Sequence, residues 1–260
     1  MITVKELEKE IEKLCPIELS EACKRKGMYD NSGLIYAGRG ETEGILFSLD
    51  LSVRAAERAI EEGCGCIVTH HPAIYGGLER FSENDVAAQA LAKAAENRVA
   101  VFSEHLNLDI VSGGIDDMLA RGLGGKVLLS LDKMSDSAGY GKEFCIEETS
   151  LGAFAARAAE ELGAKKVLVY GDAERKIGRV ASFCGAGGSD AAAYAGNADV
   201  IVTSDAPHHV IRAIAERGRA LVLFTHYASE NYGFKAFAER LTAAVRGRAK
   251  TVYFADERYL

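Results

Sequence analysis

All six histidines of this 260-residue chain stand shortly after apolar runs rich in β-branched residues. Cys66-Ile67-Val68-Thr69 leads into His70-His71-Pro72, Val99 to Phe102 leads to His105, Val200-Ile201-Val202-Thr203 precedes His208-His209, and Leu221 to Phe224 leads to His226. His105 and His226 each have a carboxylate four residues on, Asp109 and Glu230. That spacing puts both side chains on one face wherever the segment is helical. Neutral imidazole nitrogen and carboxylate oxygen are the usual ligands of divalent Zn, Fe or Mn. Five groups, His70, His71, Asp109, His226 and Glu230, exceed what one open catalytic ion takes and suit two ions sharing a carboxylate. In such sites the ions sit roughly 3.5 to 4 Å apart and serve hydrolysis. Alone, a His-His-Pro reads equally as a strand end and a single His-x-x-x-Asp as a surface pair; their recurrence is what points to metal.

The apolar runs read as buried strands, and an open α/β sheet binds its ligands at the carboxyl ends of such strands. The chain also repeats itself. Ile67-Val68-Thr69 recurs as Ile201-Val202-Thr203, each copy preceded by an alanine-rich helical segment and followed by a helix and a further strand. An internal duplication of a strand-helix-strand unit follows, and with it a parallel or mixed sheet flanked by helices. The sequence predicts strands over 34–36, 45–49, 127–131, 166–170, 179–183 and 251–254 besides those already named. Helices are predicted over 1–14, 84–97, 115–121, 150–162, 191–195 and 208–217, with another following His226. Asp50 or Ser52 caps the helix that carries Val53, Ala56 and Ile60. A loop with Gly76-Gly77 spans 72–81, and a polar connection joins 131 to 150. Glycines at 122, 124 and 125 mark a boundary. The expected organisation is a first α/β lobe over 1–124, a second over 125–224, and a C-terminal segment, 225–260, completing the first.

Cys184-Gly185-Ala186-Gly187-Gly188-Ser189-Asp190 is a glycine-rich turn that opens a helix. Such a turn can cradle phosphate on backbone amides, but it lacks the Gly-Lys-Ser/Thr ending of a P-loop, and a tight strand-to-helix turn without ligand is the plainer reading. The composition, 48% hydrophobic with net charge −7, describes a globular chain with ample core. It has no basic stripe of the kind nucleic acid requires. No run approaches the roughly 18 apolar residues of a membrane span, and residues 1–14 form an amphipathic helix without a signal core, so a cytoplasmic protein is expected. Six cysteines in a chain this long do not make a disulfide framework. Cys64 and Cys66 are expected to be packed thiols, with a soft-metal role as the alternative.

Six segments, taken in order, resemble those of the dinuclear-metal family known as GTP cyclohydrolase 1 type 2 homologs, or NGG-interacting-factor-three-like proteins. They are Asp30-Asn31-Ser32-Gly33-Leu34, His70-His71-Pro72, His105-Leu106-Asn107-Leu108-Asp109, Cys184 to Ser189, Thr203-Ser204-Asp205 with His209, and His226-Tyr227-Ala228-Ser229-Glu230. Leu106 and Ser204 depart from the family's usual Thr and Gly. The resemblance implies two similar α/β lobes, a hexamer built from dimers, metal ligands at His70, His71, Asp109, His226 and Glu230, and His105 and His209 close by as proton carriers. It implies a metal-dependent hydrolase opening the purine ring of GTP or acting on another small molecule. The alternatives are a metal-handling or regulatory scaffold that binds the same ions without turnover, and a structural metal site.

Overall fold

The computed structural model describes residues 1–76, 82, 85–194 and 196–260, excepting the side chain of Tyr194. The predicted loop over 77–81 and the predicted helical positions Asn84 and Ala195 lie outside the described residues. The chain divides into two compact units, residues 1–108 with 235–256, and residues 109–234 with 257–260. The sequence reading places these divisions at 124 and 224. The second unit starts earlier because the helix over Ile115–Gly122 packs on that unit's sheet and on its long helix.

The first unit runs β1 (Ile2–Thr3), α1 (Val4–Leu14), α2 (Ile17–Arg25), β2 (Gly33–Tyr36), β3 (Glu41–Thr42), β4 (Gly44–Ser48), α3 (Val53–Glu61), β5 (Cys66–Thr69), α4 (Val86–Glu96) and β6 (Ala100–Ser103). β1 and β3 pair separately. The main sheet takes its fifth strand, β13 (Lys250–Phe254), from near the end of the sequence, in the order β13-β4-β5-β6-β2. The first four strands are parallel, and β2 runs antiparallel against β6. Ser48, Thr69 and Ser103 stand in register, so β4, β5 and β6 end together. α3 lays Ala55, Ala56 and Ala59 on Leu46, Ile67 and Val101, with Val252 and Phe254 of β13 at the margin. Small residues on the helix let it lie close to the sheet. Ser52, rather than Asp50, caps α3, accepting from the Ala55 amide at 3.1 Å, which leaves Asp50 for another purpose.

α5 (Leu106–Ile110) leads into the second unit: α6 (Ile115–Gly122), β7 (Leu129–Lys133), β8 (Gly139–Ser150), α7 (Leu151–Leu162), β9 (Val167–Tyr170), β10 (Lys176–Ser182), α8 (Gly188–Tyr194), β11 (Val200–Thr203), α9 (His208–Glu216) and β12 (Ala220–Phe224). Its sheet has the order β7-β8-β10-β11-β12-β9, with β10, β11 and β12 parallel and the flanking pairs antiparallel. α10 (His226–Ala244) begins in this unit and carries the chain back to the first. Phe183, Ile201, Leu221 and Leu223 form the core with Val210 and Ile214 of α9.

Two expectations need correction. The polar connection between 131 and 150 is mostly the twelve-residue β8, whose buried Lys142 is tied to Asp117 at 2.9 Å and to Ser130 and Gly139. α2, which follows Pro16, was not foreseen at all. The strands predicted over 166–170 and 179–183 exist, but they do not pair with each other: β9 pairs with β12, and β10 with β8 and β11. All six cysteines are free thiols, five of them buried. Among the described residues no helix is long and apolar enough to cross a membrane.

Candidate functional site

In the first unit the common end of β4, β5 and β6 is where the histidines collect. The His70 and His71 amides both donate to Leu49 O, and the Glu104 amide donates to Thr69 O, so the backbone carries sheet bonding one residue past each strand. The Thr69 hydroxyl sits 2.9 Å from Ser103 Oγ and 2.9 Å from His71 O, fastening the turn from beneath. The ring of His70 is fully buried, with its centroid 4.9 Å from that of His71 and 5.3 Å from that of His105; His71 and His105 are 6.1 Å apart.

Each ring is held at Nδ1. His70 Nδ1 lies 2.8 Å from Glu104 O, His71 Nδ1 2.7 Å from Asp50 Oδ1, and His105 Nδ1 2.8 Å from Asp30 Oδ1. A carbonyl and an ionised carboxylate only accept, so the proton is on Nδ1 in all three and the lone pair is on Nε2. Asp30 is itself braced by Ser32 Oγ at 2.7 Å, and Ser32 accepts from the His105 amide. Burial would raise the Asp30 carboxyl, but hydrogen bonds from His105 and Ser32 outweigh it and take the group down to about 2. Glu104 goes the other way: burial lifts its carboxyl to about 8, against the bonds it accepts from Asn107 and Cys15.

In the second unit the carboxyl ends of β10, β11 and β12 carry the corresponding groups. His226 opens α10, and one turn on its Nε2 meets Glu230 Oε1 at 3.0 Å, while Nδ1 lies 2.6 Å from Asp205 Oδ2. Glu230 and Asp109 are buried. The Cys184 thiol donates to Asp109 Oδ1 over 3.5 Å, and its amide donates to Asp116. The glycine-rich turn exists to pass close to this group. Gly185, at φ +58°, packs so tightly that a Cβ there would strike the Glu230 carboxylate and come within 3.2 Å of His226 Nε2. Its amide donates to Ser229 Oγ at 3.0 Å, and its carbonyl accepts from Thr203 and Ser204. Gly187 and Gly188 stand equally close to Phe183 and to the backbone of Asp205-Ala206. The seven-residue α8 follows the turn directly.

The structure therefore gathers His70, His71 and His105 in one unit and His226 and Glu230 in the other, with α5 placing Asp109 one turn beyond His105. His209 lies exposed in the first turn of α9. Sequence reasoning missed the roles of Asp50, Asp205 and Glu104. The available signal was position: Asp50 and Asp205 stand two residues past β4 and β11, beside strands that end in histidine. His70, His71, His105, Asp109 and Glu230 each offer a ligand atom of the kind that holds a metal ion. Imidazoles tethered at Nδ1 with Nε2 as the lone pair are what a divalent transition ion requires of its ligands, and the donor set fits one.

A mixed α/β fold in two units, with tethered histidines and buried carboxylates after its parallel strands, defines a candidate metal-binding protein. The chain belongs to the Duf34/NIF3 (NGG1p interacting factor 3) family, whose model matches residues 2–258. It is 28% identical over 251 residues to the GTP cyclohydrolase 1 type 2 homolog of Clostridium acetobutylicum, covering 94% of this chain and 91% of that one. It is 29% identical over 217 residues to the protein NIF3 homolog of Schizosaccharomyces pombe, covering 78% and 77%. Among solved structures, a Bacillus cereus protein related to NIF3 superposes with TM-score 0.85 at 18% identity over 99% of this chain and 98% of that one. HcgD from Methanocaldococcus jannaschii in its reduced form gives 0.79 at 26% identity over 97% of both.

Proposed function

We propose that this protein is a metal-dependent hydrolase in which His70, His71, Asp109, His226 and Glu230 hold two divalent ions. The observation that carries the reading is the set of Nδ1 tethers: His71, His105 and His226 each rest on a carboxylate, and the buried His70 on a backbone carbonyl. A histidine serving only as a strand end needs no such partner, whereas a ligand histidine has its tautomer and orientation fixed by one. Two bound ions would lower the pKa of bound water and offset negative charge on the group attacked. Asp30 stays ionised above about pH 2, so His105 keeps its proton on Nδ1 and presents Nε2 as the proton acceptor. That role falls to His105 before His209, whose ring is exposed.

The substrate proposed from the family name is GTP, opened at its purine ring. A second reading is a metal-handling protein that holds the same ions without turnover. Elemental analysis of the purified protein, beside GTP turnover after chelation and restoration of each ion, separates the two. About two ions per chain with metal-dependent loss of GTP is the expected result. Two ions without turnover refutes GTP hydrolysis, and no restorable metal refutes the centre itself. Assembly into a hexamer built from dimers belongs to the same proposal and is read from sedimentation.

A further inference from the structure

Tyr75 is the most exposed aromatic side chain among the described residues, at 71%, yet the backbone that carries it is fastened on both sides. The Asn31 side-chain amide donates to Ile74 O at 2.9 Å, and the Tyr29 hydroxyl donates to Gly76 O at 3.2 Å. The two carbonyls flanking Tyr75 are therefore both held from one short segment. The rings of Tyr29 and Tyr75 meet edge to face, with centroids 4.8 Å apart and planes at 65°. That contact directs the Tyr75 ring and leaves at least one of its faces to solvent. Aromatic rings bury large areas in cores and interfaces, and a ring that is ordered but exposed gains no burial for the freedom it gives up.

The segment that holds Tyr75 also reaches the histidines. Asp30 stands between Tyr29 and Asn31, and its Oδ1 lies 2.8 Å from His105 Nδ1. The turn that ends at Tyr75 begins with His70 and His71, whose ring centroids lie 5.3 and 6.1 Å from that of His105. Residues 29–31 thus set Tyr75 and His105 in one frame, Tyr29 and Asn31 holding the first and Asp30 the second, all within the first unit. An open tyrosine face has one shape complement, a flat ring. Nucleobases stack on aromatic side chains whatever their identity, because every base has a π-face.

We propose that Tyr75, braced by Tyr29, is the stacking platform for the base of a purine nucleotide, and that it sets the ligand's flat ring beside His105. The inference rests on the hydrolase reading for what then happens to the ring, but stacking itself needs neither ion nor turnover. The chain contains no tryptophan, so Tyr75→Trp places a single one at the platform. Metal-restored Tyr75→Trp protein titrated with GMP is expected to show saturable fluorescence quenching, beyond that of free N-acetyltryptophanamide. Ribose phosphate is expected to produce none, and the GMP quenching is expected to persist after chelation. By equilibrium dialysis, Tyr75→Ala is expected to bind GMP about tenfold more weakly than wild type and Tyr75→Phe to stay within about threefold, with metal content unchanged in both. Stacking without turnover refutes the hydrolase and leaves the platform standing. Metal-dependent turnover without quenching overturns the platform alone. Equal quenching by ribose phosphate, or a Tyr75→Ala variant that binds GMP as the wild type does, overturns it too.

Discussion

Replacing Gly185 with alanine tests whether the glycine-rich turn is shaped by the carboxylate beneath it. Two costs are separable. The first is backbone: φ is +58°, and a Cβ in the left-handed region costs roughly 1 to 2 kcal/mol. The second is displacement, because the new methyl occupies space held by the Glu230 carboxylate and stands 3.2 Å from His226 Nε2. Glu230 is buried, so it can yield only by giving up the 3.0 Å pair with His226 or by shifting α10, and overpacking of that kind costs about 1 to 3 kcal/mol. The total is on the order of 2 to 5 kcal/mol. Gly163 supplies the control. It closes α7 at φ +65° with nothing within 4 Å of its would-be Cβ, so Gly163→Ala measures the backbone cost alone, on the order of 1 kcal/mol. Urea denaturation of the two variants beside wild type gives the difference, expected to exceed about 1 kcal/mol. If Gly185→Ala is no worse than Gly163→Ala, the carboxylate moves aside freely and the account of the turn is wrong.

Asp50→Ala should weaken divalent-ion binding about tenfold to a hundredfold by titration calorimetry, since it frees the ring of the ligand His71; unchanged affinity would show that His71 is not held for a metal. His70→Ala should remove at least one ion from the elemental analysis while near-ultraviolet dichroism stays native, and loss of the fold with the metal would support a structural role instead. Burial raises Asp116 to about 7, against the opposing pull of Lys142. A carboxyl raised on folding keeps a proton that the unfolded chain releases near pH 4, so its contribution is complete below about pH 4 and is lost as pH rises to about 7. Asp116→Asn should therefore flatten the fall in stability across that window, by on the order of a few kcal/mol, and an identical pH profile would contradict the shift.

The parts of the fold readable in the sequence were those with a strong local pattern. β5, β6, β11 and β12 are unbroken apolar runs because helices bury both faces of a parallel sheet, and their histidines could be placed for that reason. β8 carries Lys142, Glu143, Glu147 and Glu148, charges that read as a connection until Lys142 is seen paired with Asp117 inside the fold. Strand partnership is likewise a long-range matter: nothing local tells β9 to seek β12 and leave its neighbour in sequence. Which histidine each Nδ1 partner meets was hidden for the same cause, although position after a strand marked Asp50 and Asp205. Asp30 meets His105 across 75 positions of sequence, and Asp50 meets His71 across 21, through sheet registers that no local pattern records.

β13 belongs to the sheet whose other strands all precede residue 104. A ribosome delivers that sheet in two instalments, separated by most of the second unit. At about 5 to 20 residues per second the stretch of about 145 residues between β6 and β13 takes roughly 7 to 29 seconds to emerge. Throughout that interval β4 waits as an open edge, lacking Val252 and Phe254 against its core. The nascent chain therefore holds most of its later unit before the sheet of its earlier one can be completed.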